Sequence, residues 1–228
     1  MGASSEVLLA IDTSTRTIGL ALYDGARVLC ESTWTSVDYH TVELAPAIDE
    51  ALRRAVVSPK EIEALAVASG PGSFTGLRIG MALAKGMALL HRRPIIGVPT
   101  LDILASAQPL LDIPLVAVLR AGRGRLAVGW YTAEDSAWRS SKEIAVWTPQ
   151  ELADQIRQPV YVCGELTEVE RVWISRVCPE VILASAAQSL RRAGYLAELA
   201  WKRWKTGKTD DPASLSPIYL HYNEPIPG

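Results

Sequence analysis

The sequence predicts an α/β protein of two lobes, each a mixed sheet with helices packed on it. Three observations carry that expectation. Apolar runs of strand length alternate with longer stretches of helical period. The first three strands are joined by connections so short that they pair as an antiparallel meander. The order of elements in residues 1–99 then recurs, without sequence repeat, in residues 100–228.

"VLLAID" (Val7 to Asp12) is a buried-strand run, broken by "TSTR". "TIGLALY" alternates Ile18, Leu20 and Leu22 with Thr17, Gly19 and Ala21, so it reads as a second strand. Asp24-Gly25 is a hairpin signal of the kind that fills type I′ turns. "RVLCESTW" is the third strand. Leu44/Ala45, Ile48, Ala51/Leu52 and Ala55 then share one face of a helix, with Pro46 expected in its first turn or at a kink. "IEALAVAS" is a strand, Ser73 to Leu90 a long helix with Ser73 as N-cap, and "PIIGV" another strand.

The second half repeats the scheme. "PLVAVL" and "RLAVGWYTA" flank the hairpin "RAGRG", and "EIAVWT" is the third strand. A helix opened by Pro149, the strand "PVYVCG", the helix "TEVERVWISRVC" and the strand "VILAS" follow. A last helix from about Ser189 to Thr206 carries Leu190, Ala193, Leu196, Ala200 and Trp204 on its apolar face, and Gly207 ends it. This helix is expected to belong to the second lobe and to pack back on the first. Two such units side by side suggest a duplicated ribonuclease-H-like architecture, as in the actin and sugar-kinase folds.

Composition narrows the classes of function. The 49% hydrophobic and 21% charged fractions suit a globular protein, and a net charge of −2 gives no general pull toward nucleic acid or membrane. Cys30, Cys163 and Cys178 are odd in number with no C-x-x-C, which points to a reduced, cytoplasmic setting. The N-terminus lacks a signal-peptide pattern, and no apolar segment has the length of a membrane span. His40, His91 and His221 have no ligand spacing, so no metal site is expected.

The glycine-rich "SGPGSFTGLRIG" (residues 69–80) fails both phosphate-loop patterns at Thr75, where each requires glycine. Packing explains it better. Gly76, Gly80, Ala84 and Ala88 are spaced by four and line one helix face. Each interior glycine costs about 1 kcal/mol relative to alanine, which close approach of another backbone offsets. That backbone is either the chain's own sheet or a second subunit's helix. A leucine at Gly80 separates the two: it blocks association in the second case and unfolds the chain in the first.

At these residues the sequence resembles a known family. "LLAIDTSTRTIGLALYDG", "SGPGSFTGLRIG", "AKGMAL", "IIGVPTLDILA" and the late "SPIYL" are similar to the bacterial TsaB (YeaZ) family. The resemblance is dense over the first hundred residues and thin afterwards. It implies two actin-like lobes and a non-catalytic subunit in the synthesis of threonylcarbamoyladenosine beside the tRNA anticodon. It implies a catalytic paralogue (TsaD) and an ATPase subunit (TsaE) as partners, tRNA met through the complex, and a homodimer when alone. No cofactor is expected for this chain by itself, and ATP with Mg only in the complex. The paralogue's metal-binding H-x-x-x-H corresponds here to Thr100 and Leu104, which are not ligands of that kind. The family's docking helices place Leu44, Ile48, Gly72, Ser73, Thr75, Gly76, Gly80 and Ala84 at a subunit interface. The chain departs from the family at Arg120, Gly122 and Arg125, where Asp, Arg and Glu are usual, and at His221, where Arg is common.

Two enzymatic readings stand beside the scaffold. In actin-like ATPases the acid matching Asp12 helps to hold Mg-nucleotide, and hydroxyls such as those of Thr13, Ser14 and Thr15 face phosphates. The bland alternative is a turn in which Asp12 and Ser14 bond backbone amides. A peptidase would need a base for Ser73, and the sequence marks none. "WKRWKTGKT" mixes aromatics with cations as RNA-binding segments do, but both tryptophans fall on the apolar stripe of an amphipathic helix. The tail "NEPIPG" is expected to be mobile.

Overall fold

A computed structural model describes residues 6–36 and 40–220. His221 and the tail "NEPIPG" lie outside them, and so do their expectations. The first lobe contains β1 (Val7–Asp12), β2 (Thr17–Tyr23), β3 (Val28–Thr35), α1 (His40–Ala55), β4 (Ile62–Gly70), α2 (Phe74–His91) and β5 (Ile95–Pro99). Its sheet runs β3-β2-β1-β4-β5, antiparallel through the meander and parallel from β1 to β5. After α3 (Thr100–Ser106) come β6 (Leu115–Gly122), β7 (Arg125–Glu134), β8 (Ala137–Ser140), β9 (Ala145–Trp147), α4 (Pro149–Gln155), β10 (Val160–Gly164), α5 (Glu168–Val177) and β11 (Val181–Leu183). Their sheet runs β8-β7-β6-β10-β11, with β9 also paired to β7. The two orders are the same, so the repeated topology is real. The last helix is α6 (Ala193–Lys205).

Each sheet is covered on both faces, which is why β1 is buried along its whole length instead of alternating. Leu9 and Ile11 of β1 point to α1 and α2, in a core with Leu44, Ile48 and Met81. Leu8 and Ala10 point to the opposite side, where α6 seats Leu196, Ala197 and Ala200. Burying a side chain such as Leu196 contributes about 2 kcal/mol, so α6 holds to the first lobe although it follows the second. α3 joins the lobes: Ile103 enters the α6 core, while Leu101 and Leu104 enter the second lobe's core.

Local chemistry explains most boundaries. Ser73 Oγ accepts the Gly76 N–H at 3.2 Å and caps α2. Capping boxes open α4 at Thr148, with Pro149 next, and α5 at Thr167. Gly207, at φ +73°, follows α6. Four details differ from the sequence reading. The Asp24 hairpin is a four-residue loop held by the Asp24 carboxylate on the N–H groups of Ala26 and Arg27. A tight turn with positive φ at both central residues occurs instead at Arg123-Gly124. Pro46 lies past the first turn of α1 and exposed, so the carbonyl it leaves free can meet water. β8 escapes sequence reading because its turn, Asp135-Ser136 at φ 48° and 59°, has no glycine.

Candidate functional site

Where β1 ends, the chain turns through Thr13 to Arg16 at the cleft between the lobes. Asp12 is 2% exposed, and Thr13, Ser14 and Thr15 are buried with it. Every one of the four side chains is engaged inside the protein. Asp12 Oδ1 accepts from Ser14 N at 2.9 Å and Ser14 Oγ at 2.5 Å. Asp12 Oδ2 accepts from Arg191 Nε at 3.0 Å. Thr13 Oγ1 donates to the Gly76 carbonyl at 2.7 Å. Thr15 Oγ1 accepts from a terminal nitrogen of Arg191 at 2.6 Å. These hydroxyls are engaged within the chain, although Thr15 also lines the cavity beside the turn. The turn is a folded joint, as the bland alternative has it.

Arg191 was not visible in the sequence as a site residue. It lies in the segment read as the start of the last helix, yet α6 begins only at Ala193. Its guanidinium, 3% exposed, bridges Asp12 of the first lobe and Glu165 Oε1 of the second, the latter at 2.7 Å. Burial pulls its pKa down, but Asp12 and Glu165 more than restore it, so the net shift is upward and the charge is kept. A cation is thus built into the place where a Mg-nucleotide would need the acid. The residues here do not fit that group.

Several charged residues near the joint also pair within the chain. Arg120, one of the departures from the family pattern, makes a two-pronged contact with Glu170, and its backbone N–H reaches Glu165 at 3.1 Å. Glu31 stands at the start of α6, where it accepts from Gly194 N at 2.9 Å and pairs with Arg192. Thr100 Oγ1 accepts from Gly70 N at 3.1 Å, and Leu104 is fully buried, so both positions matching the paralogue's metal ligands serve the core. Among the described residues no His, Cys, Asp or Glu cluster of metal-binding size occurs. Beside the joint, a cavity of about 840 Å³ opens between Arg16, Phe74, Gly122 and Tyr219. Tyr219, from the "SPIYL" stretch, stacks on Phe74 and accepts from Arg78 Nε at 2.9 Å.

The small-residue face of α2 resolves the glycine question. Gly76, Gly80, Ala84 and Ala88 are buried against their own chain. A Cβ at Gly80 would overlap Thr13 Oγ1, one at Gly76 the Thr13 carbonyl, and one at Gly72 the Ser14 carbonyl. Leu44 and Ile48 are core residues at 1% and 6% exposure. Placing Leu44, Ile48, Gly76, Gly80 and Ala84 at a subunit interface is therefore corrected. Glycine is required here because the β1 turn crosses the helix at backbone distance. Gly72 is half-buried, while Ser73 and Thr75 remain exposed at the helix start. The opposite side of α2 carries Thr75, Arg78, Ala82, Gly86 and Leu89, and the side chain that Gly86 lacks would meet nothing within 4 Å. Val42, Ala45 and Pro46 of the adjacent α1 are exposed too.

Two lobes of one topology facing across such a cleft are the actin-like ATPase fold. The family model described as TsaD, tRNA N6-adenosine threonylcarbamoyltransferase, matches residues 28–222 and sets the class. Within it, the chain belongs to the TsaB (YeaZ) family. It is 30% identical over 223 residues to the Bacillus subtilis tRNA threonylcarbamoyladenosine biosynthesis protein TsaB, covering 95% of each chain. The solved YeaZ from Pseudomonas aeruginosa superposes with a TM-score of 0.79 at 26% identity, over 94% of this chain and 100% of that one. The tRNA N6-adenosine threonylcarbamoyltransferase of Anaeromyxobacter dehalogenans is 34% identical over 123 residues, which span 47% of this chain and 37% of that enzyme. The family takes part in tRNA threonylcarbamoyladenosine biosynthesis. No helix among the described residues is long and apolar enough to cross a membrane.

Proposed function

We propose that this chain is a non-catalytic scaffold subunit that supports threonylcarbamoyl transfer to tRNA by a TsaD-like paralogue. The observation that carries the reading is the pairing of Asp12 with Arg191 inside the cleft. An acid already bonded through both oxygens is spent on structure, and the hydroxyls beside it donate inward. Thr100 and Leu104 in place of metal ligands support the same conclusion. The chain's contribution is then a surface. The outward side of α2, from Phe74 to Leu89, with Val42 of α1, is where the paralogue docks and where two copies of the chain pair when it is absent. On that side Leu89 and Val42 are each 66% exposed, while Phe74, 54% exposed, is shared with Tyr219 and the cavity at the helix start. ATP, Mg and the TsaE-like ATPase belong to the assembled complex, in the cytoplasm, and tRNA is met there.

The test is to mix the purified chain with the paralogue, then follow co-elution and tRNA modification with the chain present and omitted. Co-elution together with modification that depends on the chain is the expected result. Modification at full rate without it overturns the proposal. So does ATP hydrolysis by the isolated chain that Asp12→Ala abolishes, which would mark an ATPase or phosphotransferase.

A further inference from the structure

The sheet face opposite α1 and α2 carries a groove that the scaffold reading does not use. It lies where α3, β8 and α6 meet, and it consists of two adjoining cavities of about 460 and 380 Å³. Asp102, Arg139, Leu199 and Lys202 line both. Arg139 comes from β8 of the second lobe, Lys202 from α6, and Lys208 from the loop after it. All three are exposed, and none makes an ion pair within the described residues.

The sequence alone reads Lys202 and Lys208 as the solvated face of an amphipathic helix. That reading does not account for Arg139, a cation brought to the same groove by a separate lobe. Nor are the neighbouring charges arranged to neutralise the three. Arg203 and Asp210 pair with each other, and Arg203 also donates to the Gly97 carbonyl. Asp102 accepts from Tyr131 Oη at 2.8 Å and is largely enclosed. Glu198, half-buried on the wall, is the remaining acid. The tryptophans that made the segment look RNA-binding are not in the groove's floor. Trp201 and Trp204 pack edge to face at 5.0 Å under Lys205. What is left is a pair of adjoining cavities lined by three exposed cations outside any ion pair and by two acids, Asp102 and Glu198, with aromatic Trp138 and Tyr195 on the walls.

We propose that this groove binds the phosphate backbone of RNA. Two joined cavities exceed the span of one phosphate group, and cations from three chain segments suit a strand that crosses them. Such contacts are independent of sequence and weaken steeply with salt. The groove lies on the far side of the sheet from α1 and α2, so a partner on those helices leaves it open. That the RNA is tRNA rests on the proposed scaffold role; the groove's chemistry does not.

The test measures fluorescence polarisation of a labelled, unmodified tRNA transcript against the full chain and against its complex with the paralogue. Each is titrated from about 50 to about 200 mM KCl. The variant is Arg139→Gln, Lys202→Gln and Lys208→Gln together. A control of equal charge change is Lys60→Gln, Arg157→Gln and Arg176→Gln. The groove variant is expected to bind about tenfold more weakly in the complex, with the salt slope reduced by about three, one for each lost phosphate contact. The control stays within about twofold. Equal losses in both variants, or unchanged affinity and slope in the groove variant, overturn the proposal. So does saturable binding of inorganic triphosphate or an acidic peptide at these residues with RNA binding intact. Co-elution with the paralogue is read separately: its loss counts against the scaffold role, whereas the RNA titration of the isolated chain still reports on the groove.

Discussion

Arg191 and Asp12 show how much one buried pair can decide. Their charges meet at 3.0 Å with 3% side-chain exposure on each side. Removing one member leaves the other charged and enclosed. Arg191→Ala is therefore expected to destabilise the chain by about 3–5 kcal/mol. Replacing the whole set, with Asp12→Asn, Glu165→Gln and Arg191→Met, should cost clearly less. Thermal melts of the two variants check this, and equal losses would show that the charge pairing is not the source. Glu170 makes a pH-dependent case. Burial pushes its carboxyl up, but hydrogen bonds from Arg120 and Thr167 outweigh that, so its pKa lies below the ordinary glutamate range. A depressed carboxyl stabilises the fold above the unfolded glutamate value of about 4.3, and that stabilisation is lost as pH falls through the lower folded value. Glu170→Gln should thus melt below the parent at neutral pH, by about 1 kcal/mol, with the gap narrowing as pH falls below the ordinary glutamate range. A gap that stays constant with pH would contradict the assignment.

Among the elements, α2 separates two kinds of glycine. In an open helix, Gly→Ala gains about 0.5–1 kcal/mol from propensity alone. Gly86→Ala should show that gain, because its side chain would meet nothing. Gly80→Ala should do the reverse and lose about 1–3 kcal/mol, since the new methyl overlaps Thr13. Gly80→Leu is expected to abolish soluble expression instead of merely blocking association. Urea midpoints of the two alanine variants, moving in opposite directions, are the check. The spacing of four was legible in the sequence; which surface it meets was not, because a stripe of small residues looks the same against a turn or another subunit. The start of α6 was misread for a related reason. Residues 189–192 suit a helix locally, but Arg191 is drawn to Asp12 and Glu165, and with Glu31 bonded to the Gly194 N–H the helix starts four residues later than expected.

For the molecule as a whole, the lobes turn the outer side of α1 and α2 to solvent and are tied across the cleft by Arg191 between Asp12 and Glu165. If the outward side of α2 is the docking surface, Leu89→Glu and Ala82→Trp should keep the melting temperature of the parent and weaken co-elution with the paralogue about tenfold, or 1.4 kcal/mol. Unchanged co-elution in both would place the contact elsewhere. Gly76, Gly80 and Ala84 cannot report on docking, since changing them tests folding.

By itself the sequence determined the strands other than β8, the long helices, the duplicated order and the family resemblance. These follow from apolar period, capping residues and turn residues, all of which act over a few positions along the chain. Only the tertiary structure decided that Asp12 is bound to a guanidinium 179 residues away, that the glycine face of α2 points inward, and that Arg139 joins Lys202 in one groove. The physical reason is that charge pairing and close approach depend on distance in space, and local pattern carries no record of which distant segment arrives.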